Sequence, residues 1–369
     1  MTDILVAGAG IVGAACAWEL TRAGFRVTVC EPEVVGGGAT AAGMGHLAVM
    51  DDSDSQFALT SYSQRLWREL AGELPPEAEY LPCGSLWIAA DDEEMAEVHR
   101  KHAYYTARGI PVEVLDGKQL AEAEPHLRPG MAGGLIMSAD AVCYPPCAAK
   151  FLLDRVTANG GSLLRNRVAA VDDGGADLDD GTRIACAATV IATGTAAVNL
   201  IPGIALIPRK GHLIITDRYP GFVTHQLIEL GYLKSAHSST ADSVAFNAQP
   251  RKTGQVLIGS SRQFGATSSA VESHVLSAML KRAVEYMPGI AELSAIRSWT
   301  GFRAATPDHL PLIGRAPGFR NVFVATGHEG LGISTSLGTA RLIADELAGR
   351  ASEIAPGPYD PARGFAEHA

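Results

Sequence analysis

The chain has 369 residues, 47% hydrophobic and 19% charged, with 30 Lys+Arg against 40 Asp+Glu and a formal net charge of −10. This length suits two domains with a substantial core, and the composition excludes a disordered chain. No basic cluster stands out, so no nucleic-acid partner is expected, and no apolar run is long and uncharged enough to span a bilayer.

Residues 4–31 carry the strongest signal. Gly8, Gly10 and Gly13 form a G-x-G-x-x-G that follows an apolar run and opens an amphipathic one. A second apolar run, Val27 to Cys30, then stops at Glu31. This pattern predicts a strand–turn–helix–strand unit that binds a dinucleotide. Gly8 permits the tight turn, Gly10 leaves room for a pyrophosphate, and Gly13 lets the helix pack on the first strand. The helix start, with Ile11 and Val12, offers N–H groups and a favourable dipole to the phosphates. Glu31 stands where a carboxylate accepts from the ribose hydroxyls and repels a 2′-phosphate. NADP is therefore disfavoured, whereas NAD and FAD both stay open at this point. Ile4 to Leu20 is too short of basic flanks for a signal peptide, so a soluble cytoplasmic protein is expected, compatible with loose attachment to the inner face of a membrane.

Small residues follow from Val35 to His46, including Thr40, Ala41 and Gly45. Bulk is missing there, as needed where a cofactor lies against backbone. Helices are predicted at Ser61–Leu70, at Asp91–Arg108 behind a capping box of Asp91 and Glu94, and from Pro146 through Asn159. Strands are predicted at Gly84–Ala89, Gly133–Met137 and Val168–Val171, with a turn region at Asp177–Thr182 and a return at Arg183–Cys186. Two buried strands end in Ala-Thr-Gly: residues 188–194, closing on Thr193 and Gly194, and residues 321–328, closing on Gly327 and His328. Between them, strands at Gly211–Thr216, Val244–Ala248 and Gln255–Ser260 and a helix at Ser269–Met287 suggest a second domain. Cys16, Cys30, Cys83, Cys143, Cys147 and Cys186 match no zinc spacing and read as structural thiols, and no metal is expected.

Trp299-Thr300-Gly301-Phe302-Arg303, Thr306-Pro307-Asp308, Pro311-Leu312-Ile313-Gly314 and Gly327-His328-Glu329-Gly330-Leu331-Gly332-Ile333 closely resemble the D-amino-acid oxidase and glycine oxidase family of FAD-dependent oxidoreductases. The N-terminal glycines, the Thr193-Gly194 corner and Pro208-Arg209-Lys210-Gly211 match the same family, so the likeness covers essentially the whole chain. It implies an α/β fold in which an FAD-binding Rossmann-type domain (residues 1–50, 145–205 and 300–369) is interleaved with an antiparallel-sheet substrate domain (residues 51–144 and 206–299). It implies FAD, and oxidation of an amine beside a carboxylate. The cofactor contacts so implied are Gly8, Gly10, Ile11, Val12, Gly13, Glu31, Thr40, Ala41, Gly45, His46, Val168, Thr193, Gly194 and residues Gly327, His328, Glu329, Gly330, Leu331, Gly332 and Ile333. Within the family pattern W-x-G-x-R, Arg303 takes the substrate carboxylate. A planar guanidinium suits that task.

A narrower resemblance, carried by residues 45–52 and 249–264, is to bacterial D-hydroxyproline dehydrogenases. It adds Arg251, Gln263, Tyr232 and His46 as substrate contacts. No cysteine follows Cys186, so FAD is expected to be bound non-covalently. The implied reaction takes a hydride from the α-carbon of a D-amino or imino acid, and no separate acid or base is required. Glycine or sarcosine oxidation, 2-hydroxy-acid oxidation, a flavin subunit of a larger assembly and a tRNA-modifying flavoenzyme are the rival readings, the last disfavoured by the acidic balance. The electron acceptor is open among oxygen, a quinone and a carrier protein.

Overall fold

The computed structural model describes residues 3–231 and 242–365. In chain order its strands are β1 Ile4–Ala7, β2 Val27–Cys30, β3 His46–Leu47, β4 Ser85–Ala89, β5 Glu113–Asp116, β6 Gly133–Met137, β7 Ala141–Val142, β8 Ser162–Leu164, β9 Val168–Asp172, β10 Gly175–Leu178, β11 Arg183–Ala185, β12 Ala188–Ile191, β13 Ile207–Arg218, β14 Gln226–Glu229, β15 Ser243–Pro250, β16 Gln255–Phe264, β17 Ala295–Ala305, β18 Leu312–Arg315 and β19 Val322–Thr326. The helices are α1 Ile11–Arg22, α2 Gly38–Ala42, α3 Asp54–Leu70, α4 Asp92–Thr106, α5 Gly117–Ala123, α6 Pro145–Ala158, α7 Ser273–Tyr286 and α8 Gly332–Leu347.

Two layers result. A six-stranded sheet of order β18-β19-β12-β1-β2-β8 is parallel except for β18 on β19. Every residue of β1, β2 and β12 is buried, the pattern of strands covered on both faces. Helices α1, α3, α6 and α8 pack into one apolar core on this sheet. The Ala-Thr-Gly strands β12 and β19 are neighbours, and Thr326 Oγ1 donates to the Gly194 carbonyl at 3.1 Å.

The second layer is an eight-stranded sheet of order β17-β13-β16-β15-β14-β4-β6-β5, antiparallel throughout except at β14–β4. One face buries Leu86, Leu227, Phe246, Ala248 and Ile258 against Met279 and Ala283 of α7. The other face looks toward the first layer.

Several boundaries differ from expectation. Helix α3 begins at Asp54 because Ser53 caps it, its side chain accepting from Gln56 N at 3.0 Å. It belongs to the dinucleotide layer, with Leu59 and Trp67 in that core and Trp67 Nε1 donating to the Ile333 carbonyl. Strand β17 belongs wholly to the eight-stranded sheet, so a break at residue 299/300 cuts through an element. At α4, Asp91 caps Glu94 N as expected, but Glu94 Oε2 accepts from Ala90 N instead of closing the box on Asp91. The expected turn at Asp177–Thr182 starts two residues later, at Asp179, because Asp177 and Leu178 still belong to β10, and α7 starts at Ser273. Among the described residues no helix is long and apolar enough to cross a membrane.

Candidate active site

A cavity of about 850 Å³ runs between the two layers. One end is built by the β1–α1 turn. A Cβ on Gly8 would lie 2.6 Å from the Ala192 carbonyl oxygen, and one on Gly13 would lie 2.0 Å from that of Gly8. These two glycines let turn, helix and β12 close together. Gly10 faces the cavity instead, where a Cβ would meet only Thr40 Oγ1, at 3.1 Å. Glu31, at the tip of β2, accepts from Ala9 N and Glu33 N, both at 2.9 Å, and lies on the cavity wall. Thr40 Oγ1 accepts from Ile11 N at 3.0 Å, so one of the helix-start donors assigned to phosphate is already taken by the protein.

The midsection is lined by Gly45, His46, Val168, Thr193 and Gly194, and by residues 327–333, which lead into α8. The start of α8 thus presents the positive end of its dipole to this space. Burial pushes the His46 imidazole down to about 4 and that of His328 to about 3, so both rings are neutral. His328 Nε2 meets Thr339 Oγ1 at 3.0 Å, a core contact, whereas His46 Nε2 and Thr193 Oγ1 are buried with no partner among the described residues. The lining fits a long, flat dinucleotide: a glycine cradle at one end, the Glu31 carboxylate on the same wall, and orphaned polar atoms along the middle. Ala41 and Gly13 are the two expected cofactor residues that do not line it.

The far end is walled by the eight-stranded sheet. Arg209, Gly211 and Leu213 of β13, Ser260 and Arg262 of β16, Asn247 of β15 and Gln226 of β14 share its cavity side with Arg303 of β17. Arg303 Nη1 donates to the Ser261 carbonyl at 3.0 Å. Beside it, Glu329 and His309 both have left-handed backbones (φ 49° and 63°) and meet through Oε2 and Nδ1 at 3.0 Å. Glu329 Oε1 also pairs with Arg209 at 2.5 Å and with Arg262 at 3.9 Å. Burial alone would raise the Glu329 carboxyl; Arg262, His309 and Arg209 hold it below its ordinary value.

Two expected substrate contacts lie elsewhere. Arg251 forks onto Glu79 (2.6 and 2.7 Å) and stacks on Tyr144, away from the cavity. Gln263 points to the α7 side, donating to Asp242 and Glu272. The cause is a bulge: between the pairs Ile214↔Ile258 and Lys210↔Gln263, β16 takes five steps against four in β13. The extra residue reverses the in–out alternation and brings Arg262 to the wall in place of Gln263. Tyr232 lies outside the described residues. Arg262, Asn247 and Gln226 are the wall residues sequence reasoning missed. Gln226 follows Thr224 and His225 in the sequence, and no local signal marks it.

A family model described as "FAD dependent oxidoreductase" (DAO) matches residues 3–346. A glycine oxidase of Pseudomonas aeruginosa is 27% identical over 97% of this chain and 98% of its own length. The crystal structure of glycine oxidase from Geobacillus kaustophilus superposes with a TM-score of 0.87 at 26% identity, covering 100% of this chain and 99% of that one. An L-proline dehydrogenase from P. horikoshii shares the fold, with a TM-score of 0.85 at 22% identity over 98% and 97% of the two chains.

Proposed function

This chain belongs to the DAO family of FAD-dependent oxidoreductases, and on that premise we propose that it oxidises a small D-amino or D-imino acid, D-hydroxyproline or D-proline ahead of glycine. The observation that carries the reading is the Arg303 guanidinium on the wall of the same cavity that the N-terminal glycines open onto. Gly8 and Gly10, Glu31, Thr40, Thr193 and the 327–333 segment would hold FAD along the remainder. Bound there, FAD would supply the two-electron acceptor for the substrate α-carbon, taking its hydrogen as a hydride.

The protein's own share is placement and charge. Arg303 anchors the substrate carboxylate through paired N–H donors, which fixes the α-carbon relative to the midsection. The substrate nitrogen reacts as the neutral amine, and its lone pair becomes the second bond of the imine as the α-hydrogen departs. Neutral His46 adds no positive charge that would oppose this. The α8 N-terminus stabilises negative charge that accumulates on the cofactor side. A cyclic substrate leaves as a cyclic imine; a primary amine would leave as an imine that hydrolyses to a keto acid and ammonia.

Support for a hydroxylated ring over glycine comes from the wall beyond Arg303, where Asn247 and Gln226 offer uncharged amides. The likeness of residues 45–52 and 249–264 to D-hydroxyproline dehydrogenases points the same way. The test is anaerobic bleaching of the yellow holoprotein by cis-4-hydroxy-D-proline, D-proline, glycine and sarcosine. This reads the amine half-reaction alone, whether oxygen, a quinone or a carrier protein follows. The two cyclic acids should bleach fastest; bleaching by glycine or sarcosine alone would replace this reading with a glycine-type oxidase. Arg303→Ala should raise KM by about 100-fold, the cost of truncating one partner of a charge pair, with FAD content unchanged; an unaltered KM would remove the carboxylate role.

A further inference from the structure

Resting on the carboxylate reading of Arg303, we infer that Gly211 and the bulged stretch of β16 form a built seat for its guanidinium, which makes Gly211 a positioning residue for substrate binding. Gly211 does not have a positive φ, so its backbone angle does not call for glycine. Space does. A Cβ there would lie 2.6 Å from both Nη1 and Nη2 of Arg303 and 2.8 Å from Cζ. The guanidinium therefore lies flat on bare backbone of β13, one strand in from its own. Gly301, the register partner of Gly211, is small for another reason: its Cβ would collide with Ala42 at 2.2 Å.

The bulge completes the seat. In the interrupted stretch between Lys210 and Ile214, His212 N donates to Ser261 Oγ at 2.9 Å, and the imidazole Nδ1 meets the same oxygen at 3.0 Å. The Ser261 carbonyl turns to Arg303 Nη1 instead. On the opposite flank, a Cβ on Gly330 would find Arg303 Nε and Cδ at 3.8 and 3.9 Å, ordinary contact. The aliphatic stem thus runs beside the loop before α8 while the planar head is held by β13 and β16. A five-donor fork is useful only when its plane is fixed relative to the carboxylate it receives.

Gly211→Ala would force the head to move by about 0.8 Å to reach the ordinary 3.4 Å contact. A displacement near 1 Å at a substrate-positioning group can cost about 100-fold. The experiment is a double-mutant cycle on the FAD-loaded enzyme with Gly211→Ala, Arg303→Ala and the pair. KM for the bleaching substrate and the dissociation constant of pyrrole-2-carboxylate, a flat acid with no oxidisable amine, are both measured. The expected result is a 10- to 100-fold rise in both constants for Gly211→Ala, with FAD content intact, and less than a twofold further change when Arg303 is already Ala. If Arg303→Ala weakens binding but Gly211→Ala does not, the seat is refuted while the carboxylate reading stands. If Gly211→Ala is equally harmful without Arg303, the clash is with backbone and the seat is refuted. If Arg303→Ala changes neither constant, the carboxylate reading falls and the seat with it. Should Gly211→Ala fail to fold, recovery of folding in the double variant supports the seat, and failure of both overturns it.

Discussion

Gln226 is fully buried, yet neither end of its amide meets a hydrogen-bonding partner among the described residues. Such an orphan costs about 1–3 kcal/mol, and groups of this kind persist mainly where a ligand or water completes them. Replacing Gln226 with Leu, of similar volume, removes the cost and also removes the polar contact. The ligand-free variant should therefore melt higher than the parent, while its kcat/KM for cis-4-hydroxy-D-proline relative to D-proline falls about tenfold, in line with the loss of one hydrogen bond in a desolvated site. An unchanged ratio would show that this amide does not read the substrate. Nothing local in the sequence identifies Gln226, because its role depends on the void in front of it. The N-terminal glycines are different: Gly8 and Gly13 are required by contacts within their own strand–helix unit and β12, and the spacing alone announces them.

At the scale of elements, the long apolar and amphipathic runs were legible, while reversals were not. Alternation read forward from Val256 and Ile258, which face the α7 core, carries Gln263 to the cavity side and Arg262 to the core. The bulge in β16 inverts that order, and no residue type in Gly259-Ser260-Ser261 marks it unambiguously. Arg251, expected as a substrate contact, is held elsewhere for a related reason, since its partners Glu79 and Tyr144 come from segments far away in sequence. The corner between β6 and β7 carries a testable electrostatic consequence. Asp140 is buried there, accepting from Gln64 Nε2 at 2.5 Å and Val49 N at 3.4 Å through Oδ1, and burial pushes its carboxyl up to about 7. The unfolded chain titrates near 3.8. Between those values the folded state holds the extra proton, so stability falls as pH rises from about 4 to about 7 and then levels. Asp140→Asn keeps the Oδ1 acceptor and cannot ionise. Its melting temperature should exceed the parent's by more at pH 8 than at pH 5; an equal difference at both would mean that Asp140 stays ionised throughout.

For the whole molecule, the interleaving expected from the alternation of patterns is seen, but which layer owns each segment depended on packing. Helix α3 follows the dinucleotide layer because Leu59 and Trp67 fit the core around α8, and β17 follows the other because its full length pairs with β13. The layers are also stitched where the cavity passes between them. Gln249 Nε2 of β15 donates to the Met44 carbonyl, before β3, at 2.7 Å. Ala42 fills the space over Gly301. A ligand along that cavity touches both layers, so its binding energy should appear in the stability of both. With FAD at 100 times its dissociation constant, the gain is about 2.7 kcal/mol. Calorimetry of the apoprotein and the FAD-loaded protein should therefore show one cooperative transition that moves upward as a whole on loading. If only part of the heat absorption shifted, leaving a second transition where the apoprotein had it, the eight-stranded layer would be unfolding independently of the cofactor and the cavity would not couple the two.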